Sequence, residues 1–389
     1  MGATKYTKYC TGCGLCISFE KAKMTYDKKG FMSINDGNEK WLEKICPFLH
    51  SQMKLRDVNN IWGKNKSVYL GWSNDTKVRN KASSGGILTE LASFLVESKM
   101  VDYIIHICAD EINPTKNTIC ISKNRDELIR RSGSRYSISH PLLEMNTIDL
   151  KKKYAFIGKP CDVIALKNLM EIEPKYKEAI PYTLSFFCMG MPSNDAQISL
   201  LDRMGCPIDE CVKLQYRGNG WPGYAIATDK EGHMYKLDYD SSWGEILGRD
   251  LLPACRFCLD GIGELADISC GDAWYLSENN SPDFSEHEGR NVIFARTEKG
   301  KKIIEEVQRK GYISVDSFDS YHRDLKMMQA SQYDRRTTMI ARVFAMFILR
   351  RPSPSYPLKI LCHYAKDTSI IRLLIVFCGT CKRVFRGKI

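Results

Sequence analysis

Cys10, Cys13 and Cys16 stand in CTGCGLC, each two residues from the next, and Cys46-Pro47 follows after a 29-residue gap. Three thiolates at that spacing, completed by a remote Cys-Pro, form the ligand pattern of a ferredoxin-type 4Fe-4S cluster. Two-residue steps let one tight loop wrap three corners of a cubane, and Gly12 and Gly14 let its backbone approach the sulfides. The fourth thiolate must arrive from elsewhere, and Pro47 turns the chain off the cluster. Zinc more often takes paired C-x2-C knuckles than a triple. The expectation is an electron-transfer module.

A chain of 389 residues is long enough for one large domain with smaller appendages. Sixteen cysteines, with no apolar h-region in MGATKYTKYC, argue for reduced thiols and a cytoplasmic location. No apolar run reaches the length of a spanning helix. The net charge of +11 is unevenly placed. From Arg336 onward there are eleven Lys or Arg and one acid, Asp367, so that stretch carries +10 and the preceding 335 residues about +1. With the charge confined to a tail and no recognised binding motif, a nucleic-acid partner is not expected.

Along the chain, VYLGW (68–72) reads as a strand, and ASSGG leads into a helix with Ile87, Leu91, Phe94, Leu95 and Val96 on its apolar face. VDYIIHIC, KYAFIGK and YTLSFFC read as buried strands, separated by the helices PCDVIALKNLMEI, opening at Pro160, and AQISLLDRMG. Residues 224–238 suit a hairpin turning at Glu231-Gly232. NVIFART, TEKGKKIIEEVQRKG and YISVDSF complete a last strand–helix–strand unit. The alternation implies a mixed, largely parallel α/β sheet with function at the carboxyl ends of its strands. Three parts are expected: a ferredoxin-like 4Fe-4S segment (1–62), an α/β domain (63–335) and a basic amphipathic tail (336–389).

A second group of cysteines is dispersed. Cys161 follows the strand YAFIGK, Cys188 ends YTLSFFC, and Cys255 and Cys258 form C-x2-C in LLPACRFCLDG. In a parallel sheet Cys161 and Cys188 leave at one edge, where the C-x2-C loop could meet them. Four thiolates there suffice for a second 4Fe-4S cluster; a zinc site or simply buried thiols fit the spacing as well.

The order CTGCGLC, SSGGI, SGSRY, FIGKPCDVIAL, FFCMGMPS, CRFCLDG and ELADISCGDAW resembles the coenzyme F420 hydrogenase/dehydrogenase beta subunit family, in a bacterial-type member, over roughly residues 8–315. The resemblance implies a flavin-containing oxidoreductase, with FAD and 4Fe-4S clusters passing electrons to or from a deazaflavin, ferredoxin or another redox carrier. It also implies that Cys161, Cys188, Cys255 and Cys258 hold a second cluster. Many relatives carry a two-cluster ferredoxin segment, whereas this chain has cysteines for one there. Cys270 stands where a small apolar residue is expected and reads as a buried thiol. Cys108, Cys120, Cys206, Cys211 and Cys362 have no clear partner spacing and read as structural.

For the flavin, Ser83, Ser84, Gly85 and Gly86 open a helix whose free N–H groups and dipole face what lies in front. Ser134, Arg135 and Tyr136 form a second candidate, Arg135 suited to a phosphate and Tyr136 to stacking. Asp267 and Asp272 either touch the cofactors or cap loops, and His106 and His140 read as core or surface residues. The reaction expected moves electrons between a one-electron carrier and a small-molecule substrate, with the catalytic acid unassigned. The alternatives are a relay subunit of a larger redox complex, a reductase of a bacterial cell-surface polysaccharide pathway, or a zinc-stabilised binding module. In the tail, the apolar stretches 339–349 and 370–377 among clustered cations suit either an anionic membrane surface or folding back onto the domain.

Overall fold

Strands that are apolar on both sides need cover on both faces. In the computed structural model, which describes residues 9–48 and 59–389, that cover decides the architecture. Residues 1–8 and 49–58 of the expected N-terminal segment lie outside the described residues.

The described part of that segment is a one-turn helix (Leu15–Ser18), the antiparallel hairpin β1 (Ala22–Tyr26) and β2 (Met32–Gly37), and a helix (Glu39–Ile45) capped by Asn38. The strands β3 (Ser67–Ser73), β4 (Tyr103–Ala109), β5 (Asn117–Ser122), β6 (Tyr154–Gly158) and β7 (Tyr182–Phe186) follow. A separate antiparallel sheet comprises β8 (Cys211–Gln215), β9 (Ala225–Asp229) and β10 (Met234–Leu237), and the anticipated hairpin turns at Gly232. The chain then returns through β11 (Ile268–Asp272), β12 (Asn291–Ala295) and β13 (Ile313–Ser317).

The main sheet has eight strands in the order β13-β3-β12-β11-β7-β6-β4-β5. Its four central strands, β11, β7, β6 and β4, are parallel, and the pairs on both flanks are antiparallel. The sheet is mixed as expected, with its parallel character confined to the middle.

Successive residues point to opposite faces. Ile104, Ala155, Leu184 and Ile293 pack with the helices Ile87–Glu97 and Glu298–Arg309. Their neighbours Ile105 and Phe156 pack on the other face, with the helix Pro160–Ile172 and with Leu15, Leu42 and Ile45 of the N-terminal segment. The N-terminal segment therefore forms part of the cover over one face of the sheet. Asn168 ties it down, donating to the Ile45 carbonyl at 3.1 Å.

Beyond β13 come the helices Tyr321–Met328, Ala330–Thr337, Met339–Ile348, Leu358–Ala365 and Ile370–Phe385. They fold back onto the body. Met339, Met346, Ile360, Leu361 and Tyr364 share a core with Leu252, Phe257 and Leu259 around the C-x2-C loop. Among the described residues no helix is long and apolar enough to cross a membrane.

Candidate iron–sulfur and flavin site

The N-terminal loop earns its glycines. Gly12 and Gly14 have φ of 72° and 86°, a left-handed region that suits glycine. The Gly12 N–H points at the Cys10 sulfur, 3.4 Å away. Cys10, Cys13 and Cys16 are buried, and burial pushes all three thiols up, Cys10 to about 12. Each is pushed further by Cys46, which gathers the four sulfurs into one charge-coupled group.

Cys161 is the second residue of the helix Pro160–Ile172, immediately after β6, and Cys188 stands two residues beyond β7. Cys255 lies within the turn Pro253–Phe257 and Cys258 closes it. Burial raises all four thiols, Cys255 to about 11 and Cys258 to about 12. Cys188 and Cys258 act on Cys161, and Cys188 acts on both Cys255 and Cys258. The dispersed cysteines thus meet at the carboxyl end of the parallel strands.

Among the described residues, no set of three or more Cys, His, Asp or Glu is drawn in to the spacing of ligands around a single metal ion. A cubane is a wider body held by four thiolates, and the two quartets have that composition. Their chemistry suits a cationic core: four buried thiols cannot all ionise beside one another without one. Among the described residues, no lysine or arginine is a leading influence on Cys10, Cys13 or Cys16. Lys159 and Arg335 do act on Cys188 and Cys255.

A cavity of about 560 Å³ opens beside the second quartet, with Cys188 in its wall. That size suits a small-molecule or cofactor site. Ser83, Ser84, Gly86, Ser134, Arg135 and Tyr136 all line it. The two segments are stitched together, since Ser83 Oγ accepts the Ser134 N–H at 2.8 Å. Gly85 faces elsewhere: a Cβ there would lie 2.8 Å from the Gly71 carbonyl and 2.9 Å from the Asn291 amide. Close packing against the sheet requires this glycine, and it is not among the residues that line the cavity. The Arg135 guanidinium is also engaged, donating to Asn117 and to the carbonyls of Leu214, Pro114 and Lys116. It braces the loop.

The lining next to Tyr136 is aromatic and carries a buried ion pair. Arg217 donates to Asp272 at 2.9 and 3.3 Å, and Trp221 Nε1 reaches the same carboxylate at 3.2 Å. Burial alone would lower Arg217, but Asp272 outweighs it and holds the guanidinium protonated. Trp274, Tyr239 and Trp243 complete the wall. Asp267, by contrast, accepts from Thr183 and Thr297 and ties strands together.

Several supporting groups had no signal of their own in the sequence. Lys159 and Asp162 pair at 2.8 Å in the first turn of the helix Pro160–Ile172, and Asp162 acts on both Cys13 and Cys161. His140 Nδ1 donates to the Gly12 carbonyl at 2.7 Å. His106 is a core residue bonded to Ser122. Arg335 donates to the Cys188 carbonyl at 2.6 Å. Arg336 forms a fully buried pair with Glu264, also at 2.6 Å. Cys270 is buried as expected, whereas Cys108 and Cys120, read as partnerless, are joined in a disulfide across β4 and β5.

These features can be compared with known proteins. The family model for the N-terminal part of the coenzyme F420 hydrogenase/dehydrogenase beta subunit matches residues 68–145, and that for the C-terminal part matches residues 151–321. The chain belongs to the coenzyme F420 hydrogenase/dehydrogenase beta subunit family, which places it among electron-transferring oxidoreductases. It is 24% identical to the coenzyme F420 hydrogenase subunit beta of Methanococcus voltae over 69% of this chain and 90% of that protein. It is also 24% identical to the coenzyme F420-dependent sulfite reductase of Methanocaldococcus jannaschii, over 82% of this chain but 49% of that longer protein. Its fold is similar to a chain of the F420-reducing NiFe hydrogenase complex of Methanosarcina barkeri, with a TM-score of 0.58 and 20% identity over 77% of this chain and 98% of that one.

Proposed function

We propose that this protein is an iron–sulfur flavoprotein that passes electrons between a ferredoxin-like or deazaflavin carrier and a two-electron substrate. The reading gives Cys10, Cys13, Cys16 and Cys46 one 4Fe-4S cluster, and Cys161, Cys188, Cys255 and Cys258 another. FAD would supply the exchange between paired and single electrons. One observation carries the reading: the cavity lined by Ser83, Ser84 and Tyr136 has Cys188 in its wall, so a ligand there touches the second quartet. In this reading the N–H groups at the start of the helix Ile87–Glu97 face the pyrophosphate, and the aromatic wall shields the ring from water. The first quartet is the port for a carrier. The protein works in the cytoplasm.

The relatives favour a second reading, in which the chain is a relay subunit of a larger redox complex. The Methanococcus voltae protein is named as a hydrogenase subunit, and the similar solved chain comes from a hydrogenase complex.

Anaerobic purification with iron, sulfide and flavin analysis tests the cofactor content. The expected result is about eight irons and one FAD per chain. A colourless, iron-free protein carrying zinc would overturn it. A loaded protein that reduces no acceptor by itself but co-purifies with a larger catalytic chain would favour the relay reading.

A further inference from the structure

The helix Ile370–Phe385 is apolar on two sides. Its inner side, through Val376, Thr380 and the half-buried Phe377, packs against the body and against Phe344. A soluble helix normally turns its other side polar. Here Ile371, Leu374 and Ile375, at i, i+3 and i+4, are 72%, 57% and 56% exposed. The neighbouring helix Met339–Ile348 repeats the pattern: Phe344, Phe347 and Ile348 are 54%, 73% and 53% exposed. The two helices touch through Phe344 and Phe377, 5.9 Å between ring centroids, which joins the two stripes into one apolar surface.

The charges around that surface are one-sided. Arg372, within the helix Ile370–Phe385, is held against the body by Asp334 at 2.6 and 2.7 Å and so leaves the outward stripe apolar. Arg350, Arg351, Lys359, Lys382, Arg386 and Lys388 are exposed at the helix ends, and Asp367 is the one acid from Arg336 onward. The family match ends at residue 321, so this surface lies outside the part that defines the family. We propose that the paired helices seat the protein on the surface of an anionic phospholipid bilayer. Ile371, Leu374, Ile375, Phe344, Phe347 and Ile348 enter the interface, and the cations contact the headgroups. Charge complementarity selects this occupant: the exposed charges at the helix ends are predominantly cationic, and the apolar residues are of the kind that partition into acyl chains.

The full chain is mixed with vesicles of phosphatidylglycerol and phosphatidylcholine, or of phosphatidylcholine alone, and sedimented at low and high salt. Surface substitutions are the right comparison, because cutting the tail would leave Glu264 without Arg336 and strip the helices packed around the C-x2-C loop. The expected result is sedimentation with the anionic vesicles at low salt and much less with the neutral ones. Lys382→Gln, Arg386→Gln and Lys388→Gln together should weaken binding about a hundredfold, at about fivefold per cation. Ile371→Glu with Ile375→Glu should remove the binding that survives high salt, while circular dichroism stays unchanged; Phe347→Ser is a milder probe of the same face. Recovery of the unaltered chain in the supernatant with anionic vesicles at low salt overturns the proposal. So does undiminished binding by a folded Ile371→Glu, Ile375→Glu chain, or lipid-independent pairing of the chain that these substitutions abolish.

Discussion

Cys10, Cys13 and Cys16 hang from one loop, whereas Cys161, Cys188, Cys255 and Cys258 come from a helix start, a strand end and a separate turn between residues 161 and 258. In the first quartet only Cys46 comes from outside the loop, after the helix Glu39–Ile45. The second exists only once the sheet, the C-x2-C loop and the terminal helices are together. They also differ in charge among the described residues, since Lys159 and Arg335 face the second and no cation is a leading influence on Cys10, Cys13 or Cys16. Positive charge beside a cluster favours its reduced form. A quartet assembled from distant segments can thus be surrounded by groups that a single loop cannot recruit.

The largest effect expected to separate the two is on cofactor content. Cys13→Ser and Cys258→Ser should each remove about half the iron. Flavin should remain in the first variant and be lost from the second, whose quartet borders the cavity. Equal flavin in both, measured after anaerobic purification, would erase the distinction.

Next comes stability. Arg336→Met leaves Glu264 buried without its charge partner, a loss of about 3–5 kcal/mol. Denaturant unfolding measures it, and a loss below about 1 kcal/mol would mean that the tail is not anchored there. Acid acts through a group apart from both quartets. Burial drives His106 down to about 4 from 6.5. Below pH 6.5 the unfolded chain takes up a proton that the folded chain refuses. The stability concerned is therefore intact above about 6.5 and lost as pH falls towards 4, by roughly 3 kcal/mol at most. His106→Asn should flatten that part of the stability profile; an unchanged slope would put the acid sensitivity elsewhere. The smallest effect belongs to the first loop. Gly14→Ala meets the Leu143 backbone at 3.0 Å with φ of 86°, so it should cost about 1–2 kcal/mol and loosen only the first quartet's iron. Iron loss from the second quartet would contradict the local closure of the first.

What could be read from residues alone follows the same division. CTGCGLC announces itself because ligands and glycines share one loop, and the Pro160 helix and the 224–238 hairpin carry local signals of the same kind. The direction of β3 does not: VYLGW reads as a strand, but its antiparallel pairing with β12 and β13 depends on residues more than two hundred positions away. Gly85 and Arg135 have the composition of a phosphate site, and only the packed fold reveals the oxygens and backbone that already occupy them. Arg335 and Arg336 look like the start of a basic tail. Their partners, Cys188 and Glu264, are far off in sequence, and no local pattern links them.

The first turn of the helix Pro160–Ile172 has one more consequence. Its Asp162 acts on a cysteine of each quartet, while the adjoining stretch grips the N-terminal loop through His140 and through Leu142, whose N–H reaches the Cys13 carbonyl at 3.0 Å. Among the described residues, the N-terminal loop is thus held to the body at two points close to its cysteines. Where a mobile carrier domain must swing between docking points, contacts of this kind would hold the first quartet at one. Under the proposed function, exchange between the two quartets would then need no rearrangement of these contacts.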